Sequence, residues 1–252
     1  MLPTEPAALA LLLALVFLVA AAYSSVGHGG ASGYLAVLSF FGLAPAAMAP
    51  SALLLNLLVA GTSFTSYWRA GHFVPRLLWP FLLTSIPFAV LGGLTPVSAK
   101  VYLGLLAVVL LFASFRLLAV VPPKQEESFV RVPNLWVALP MGAGIGFLSG
   151  VIGVGGGIFL SPLIILLKWA DAKRTAAASA AFIWINSAAG LYGHLLRTDV
   201  DWSALVWLVG AAAAGGLLGS YLGARRFQGI WLRRILGVVL IVASIKLLRS
   251  AF

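Results

Sequence analysis

The sequence predicts an all-α polytopic membrane protein, with about eight long transmembrane helices and two short half-helices, arranged as two inverted-topology repeats. Three observations predict it: a composition unsuited to water, a series of long apolar runs, and the recurrence of one order of motifs in both halves. Of 252 residues, 62% are hydrophobic and only 9% are charged, and the mean hydropathy is +1.08. A soluble domain carries about a quarter charged residues, so the bilayer is the expected solvent and partner. The net charge of +10 does not point to nucleic acid, because no basic block is interleaved with aromatics. Its Lys and Arg fall in short gaps between apolar runs, as cytoplasmic loops of membrane proteins do. The chain has no cysteine, which excludes disulfides, thiolate metal sites and Cys nucleophiles. No metal, cofactor or catalytic residue is expected.

Residues 7–22 are an unbroken apolar run preceded by Glu5 and no cation. A secretory signal needs a basic leading region, so despite Ala20-Ala21-Ala22, which resembles a cleavage site, this run reads as the first membrane helix. Spanning a core about 30 Å thick takes roughly 20 apolar residues. Such runs occur near 5–26, 46–67, 75–93, 99–120, 135–152, 174–196, 202–223 and 231–249. Two further pieces, 33–42 and 157–168, would make only about 15–18 Å of helix each. The polar stretch 121–134 reads as a cytoplasmic linker between a first repeat, 1–120, and a second, 135–252.

Val26-Gly27-His28-Gly29-Gly30 is echoed by Ile152-Gly153-Val154-Gly155-Gly156-Gly157, each ahead of a short apolar piece. Asn56 precedes Asn186 by 130 residues, and the same offset relates Ala113-Ser114-Phe115-Arg116 to Ala243-Ser244-Ile245-Lys246. Three matches in one order indicate a duplication. Counting each short piece as a crossing gives five plus five and inverted copies. With the Arg225–Arg234 loop inside, only Lys100, Arg197, Lys246 and Arg249 of the 16 cations then lie outside. A four-plus-four count divides the cations evenly, so the positive-inside rule selects inversion. Both termini are then expected in the periplasm of a bacterium, with the protein in its inner membrane.

Glycine-rich breaks are tolerated in a membrane only where protein buries them or a cavity hydrates them. They also leave free N–H groups at a helix start, where the dipole favours an anion. Two such breaks in corresponding places point to a transporter's central site, although glycines also serve close helix packing. On these motifs the sequence resembles the TauE/SafE (TSUP) sulfite exporter family. Its glycine-rich stretch near the start of each half is matched here by Gly27-His28-Gly29-Gly30 and Gly153-Val154-Gly155-Gly156-Gly157. The resemblance implies transport, usually outward, of sulfite, thiosulfate, sulfoacetate or similar anions. The first motif departs from a full Gly triplet, with His28 in the middle and Ala31 after Gly30.

The expected binding residues are Gly27, His28, Gly29, Gly30, Asn56, Gly153, Gly155, Gly156, Gly157 and Asn186. Both Asn amides could donate to one anion at the pseudo-twofold axis, or equally hold helices together. His28 could donate to an anion, carry a proton or cap a neighbouring backbone. Tyr23, Ser24, Ser25, Ser51, Tyr67 and Ser149 rank below these as lining hydroxyls. His194, beside Arg197, is expected at the interface, and His72 in solvent. All six acids (Glu5, Glu126, Glu127, Asp171, Asp199 and Asp201) fall at termini or in loops. A carboxylate proton relay or an acidic cation pore therefore has no material here. Proton coupling would fall to His28 or to the anion's own protonation.

Gly215, Gly219 and Gly223 make a small-residue face for close packing, first within the chain and second across a homodimer. Two rival readings stand beside the carrier. An anion channel shares every feature above. A rhomboid-like intramembrane serine hydrolase would use Ser32 of Gly30-Ala31-Ser32-Gly33 with His194 as base, but the second copy has Phe159 at the position of Ser32.

Overall fold

The computed structural model describes residues 3, 5–25, 28–119, 129–199, 202–225 and 230–251. These form α1 (Pro6–Ser24), α2 (Ala31–Phe40), α3 (Pro45–Arg69), α4 (Pro75–Leu94), α5 (Ala99–Leu118), α6 (Leu135–Ile152), α7 (Gly157–Leu166), α8 (Ala172–Leu195), α9 (Trp202–Arg225) and α10 (Ile230–Ala251). Among the described residues the only β pairing is an isolated bridge between Val130 and Ala170. Five helices, α1 and α3–α6, are long and apolar enough to cross a membrane. Their outward faces suit lipid. Trp136 is 86% exposed, and Trp68, Val108, Phe115 and Trp207 also point outward, an apolar surface that a water-soluble monomer does not carry.

Helix starts follow from local chemistry. Pro45 and Pro75 open α3 and α4, where the missing N–H costs nothing and φ is already helical. Asp171 caps α8 by accepting from Lys173 N at 3.0 Å and Arg174 N at 3.1 Å, and it also pairs with the Arg174 guanidinium. The short helices start differently. Gly30 (φ 95°) and Gly156 (φ 80°) cap α2 and α7 from the left-handed region, which costs any residue with a Cβ. Gly30 therefore starts α2 at Ala31, two residues before the apolar run at 33–42 suggested.

Helix α1 packs on α9 as α6 packs on α4, and α3 contacts α9 as α8 contacts α4. Helices α3 and α8 meet each other, as do α5 and α10. Leu53 lies beside Gly190, whereas Gly61 lies beside Trp184. Advancing along α3 thus means retreating along α8, and the two run antiparallel.

Glycines set the closest crossings. A Cβ on Gly215 or Gly219 would strike the backbone of α1 at Phe17 or Ala21, so this face packs within the chain. Of Gly223 only the helical backbone is described. Gly142, Gly146 and Gly150 of α6 press in the same manner on Phe81, Ser85 and Ala89 of α4. That second ladder has the same four-residue spacing and was equally open to detection in the sequence.

Candidate functional site

The two glycine-rich breaks meet at Asn56. This residue is 1% exposed, in the middle of α3, and its Nδ2 donates to the Val154 carbonyl at 3.2 Å. On its other side Gly29 approaches so closely that a Cβ there would collide with Asn56 Oδ1. A Cβ on Gly155 (φ +73°) would lie 2.7 Å from Asn56 Nδ2 and 2.8 Å from Ser187 Oγ. Ile183 of α8 touches the glycines of both breaks. Gly27 lies outside the described residues, and Gly153 packs on Ala49 of α3.

Asn186 takes a different role from its counterpart. Its Nδ2 donates to Phe182 O within its own helix at 3.0 Å. The Asn56 and Asn186 Oδ1 atoms are both buried without a hydrogen-bond partner, as is the neighbouring Ser187 Oγ. A buried acceptor left unpaired costs about 1–3 kcal/mol, and here two lie on the facing helices α3 and α8.

Beside the first break, a cavity of about 140 Å³ is lined by Tyr23, His28, Arg116, Ser161 and Thr175, with apolar walls from α5, α7 and α8. Ser161 has one hydroxyl proton, which it donates to Gly157 O at 2.8 Å. It must therefore accept from His28 Nε2–H, 3.3 Å away, so the proton sits on Nε2. Tyr23 OH and Ser32 Oγ are 2.7 Å apart, which closes the wall behind it.

Arg116 reaches this cavity because of Pro162. A proline inside a helix offers no N–H to the carbonyl four residues earlier, and Pro162 in α7 thereby leaves Ile158 O without its helical donor. The Arg116 guanidinium donates to that oxygen at 3.0 Å. Its counterpart in α10, Lys246, instead caps the end of α2, donating to Ser39 O at 2.7 Å. Read as sequence, Arg116 is one more loop cation. A proline four residues beyond an orphaned carbonyl was the available signal, but nothing in the sequence pairs it with α5.

The remaining expected residues divide between two other cavities and the helix interiors. Ser24, Ser25 and Tyr67 line a second cavity of about 260 Å³ together with Ser63, His72 and Lys173. His72 is half-buried there. His194 lines a third cavity of about 230 Å³ with Tyr102 and Arg197, at the opposite ends of α3 and α8. It is 4% exposed and donates from Nε2 to Gly150 O at 2.9 Å, while Nδ1 accepts from Arg197 at 3.4 Å. His194 thus lies near the end of α8 beside Arg197, away from Asn56, with its ring buried where facing glycines bring α8 close to α6. Ser51 bonds its own helix at Ala47 O, and Ser149 is buried without a partner. Ser32 is engaged by Tyr23 and His194 by Gly150, so the two are not brought together as nucleophile and base.

A family model described as sulfite exporter TauE/SafE matches residues 12–247. The chain belongs to the TauE/SafE family. Within 37% identity over 234 residues, 92% of this chain and 95% of the relative, it is similar to the probable membrane transporter protein y4hK of Sinorhizobium fredii (strain NBRC 101917 / NGR234). It is also 33% identical over 104 residues to the probable membrane transporter protein YunE of Bacillus subtilis (strain 168), covering 41% of this chain and 38% of that one. No solved structure matches the chain. The TauE/SafE match extends over both glycine-rich breaks and all ten helices in whole or part, and with the apolar helices it makes this a multi-pass membrane protein of a transporter family.

Proposed function

We propose that the chain is a secondary transporter of small anions, exporting sulfur oxyanions or organosulfonates such as sulfite, thiosulfate or sulfoacetate across a bacterial inner membrane. The observation that carries this reading is the convergence of both glycine-rich breaks on Asn56. Gly29, Gly30, Gly155, Gly156 and Gly157 would bring backbone N–H groups to the anion, with the start of α7 adding its dipole. Asn56 and Asn186 would orient the amides, and Arg116 would supply a charged donor from the adjoining cavity, which His28 also lines. Guanidinium suits a tetrahedral or trigonal oxyanion because its planar fork donates two parallel bonds. Among the described residues, none that lines that cavity is acidic.

Inverted halves and alternating access belong to the same proposal. The packing pattern is preserved when α1 is exchanged for α6, α3 for α8 and α4 for α9. Parallel copies would run α3 and α8 in the same direction, whereas they run oppositely. With the positive-inside rule, inversion would put the termini in the periplasm, and it would let one half rock against the other around the fixed site.

A ligand that binds only the folded state raises the melting temperature with its concentration. A thermal-shift screen of purified protein against sulfite, sulfate, thiosulfate and alkyl sulfonates should therefore give a concentration-dependent rise for at least one sulfur anion and none for matched cations. A flat response to the whole set would remove the sulfur-anion assignment.

A further inference from the structure

We infer that the hydroxyl-lined cavity at the Lys173 end is a second anion-binding site, a vestibule for the same class of small oxyanion that the central site takes. It has about 260 Å³ of space, and hydroxyls enter it from three long helices: Ser24 from α1, Ser63 and Tyr67 from α3, and Ser220 from α9. Lys173 supplies the charge and His72 a ring nitrogen, and among the described residues no carboxylate lines it. Ser63 is 1% exposed, and its Oγ has no hydrogen-bond partner. A buried hydroxyl of this kind is normally paired, and this one faces the cavity.

The opposite end of the molecule supplies the internal control. On the repeat correspondence proposed above, Ser24, Ser63 and Ser220 answer to Gly150, Gly193 and Gly93, at separations of 126, 130 and 127 residues. Those three glycines pack on one another and on backbone, and a Cβ on Gly93 or Gly193 would collide with a carbonyl of the facing helix. At that end the junction itself packs glycine on backbone, and the cavity of about 230 Å³ beside it is lined by other residues, among them Tyr102, His194 and Arg197. At the other end it carries three serines beside a lysine: Ser24 and Ser220 donate to Ala21 O and Leu217 O of their own helices at 3.3 and 3.0 Å, and Ser63 is the one left without a partner among the described residues. Helix packing alone does not call for the unpartnered Ser63 hydroxyl, whereas an oxyanion held by that donor and the Lys173 charge does.

The vestibule rests on the anion-carrier reading for the identity of its ligand, and the test separates the two. Equilibrium binding of radiolabelled thiosulfate to the full chain in phosphatidylcholine nanodiscs should give two equivalents per chain. One equivalent should be lost in the double variant Ser63→Ala, Lys173→Gln and the other in Arg116→Gln. Ser63→Ala removes only an unpaired hydroxyl, so its melting temperature should not fall, and a folding defect is then distinguishable. A single equivalent, lost in Arg116→Gln and kept in the double variant, would overturn the vestibule and leave the carrier reading intact. A single equivalent lost only in the double variant would sink the central site and leave the vestibule standing. No binding in any protein overturns both. A lipid phosphate could satisfy the same donors, so the titration is repeated with phosphatidylglycerol. Loss of the second equivalent in those discs alone would make the headgroup the occupant and overturn the free-anion form of the proposal.

Discussion

The two ends of the α3–α8 pair carry the same junction in opposite finishes. At the His194 end, Gly93, Gly150, Gly190 and Gly193 bring three helices into backbone contact, and the His194 ring seals the seam through the Gly150 carbonyl. At the Lys173 end, serines take the equivalent places and themselves line the cavity of about 260 Å³, whereas the glycines stay out of the lining of the cavity of about 230 Å³ beside His194. Small residues allow close approach of membrane helices, yet a serine and a glycine are not the same tool. Glycine lets backbones touch and exclude everything else. Serine adds a hydroxyl, which Ser24 and Ser220 donate to their own helices and Ser63 keeps for whatever enters. The difference teaches that corresponding helix junctions in the two halves of the sequence need not carry the same chemistry.

The largest effect should come from the place where both breaks depend on one glycine. Gly155 combines a left-handed φ of +73° with Asn56 Nδ2 at 2.7 Å from the site of a Cβ. Strain of this kind costs about 1–3 kcal/mol, so Gly155→Val should cut the transport rate roughly 5- to 150-fold. Initial-rate assays in vesicles with matched protein amounts would read this, and wild-type rates would show that Asn56 does not need the gap.

The comparison of ends can be broken directly by writing serine into the closed one. Gly150→Ser or Gly193→Ser puts atoms where Ala89 or Val90 carbonyls already lie. Overpacking costs about 1–3 kcal/mol, so the melting temperature should drop. The reverse changes, Ser24→Gly and Ser63→Gly, should cost much less. Equal losses at both ends would mean that the two junctions are packed alike.

A smaller effect is expected from the repeat-related cations. Arg116→Gln removes a charged donor from the cavity beside His28, and hydrogen bonds to charged groups contribute about 1.5–3 kcal/mol. It should raise the KM for the anion roughly tenfold or more. Lys246→Gln leaves the cavity intact but uncaps Ser39 and Phe40 at the end of α2. It should lower the melting temperature and leave KM unchanged. A matching rise in KM for both variants would deny Arg116 any role of its own.

Much of this architecture was legible in the sequence. Apolar run lengths placed the helices, since Pro6–Ser24, Pro75–Leu94 and Leu135–Ile152 begin and end within about two residues of the runs. The glycine breaks were legible because a backbone that leaves the helix inside a membrane needs an exceptional reason. What periodicity could not supply is which side chains face one another. Asn56 and Asn186 are equivalent in sequence, but one bridges to the second break and the other bonds its own helix. Arg116 counted only as a marker of topology, because its neighbours Pro162 and Ile158 are distant in the chain. At the Lys173 end Ser24 and Ser25 ranked low in the sequence and Ser63 and Ser220 did not stand out at all; grouping them required the packing of α1, α3 and α9.

The central claim is that the protein is a carrier whose two halves alternate around one anion site. Counterflow in proteoliposomes tests it most directly. With unlabelled thiosulfate inside and a trace of labelled thiosulfate outside, the account predicts transient, saturable accumulation of label that Gly155→Val abolishes. Label that only equilibrates, at a rate rising linearly with concentration, would contradict the carrier and indicate a channel.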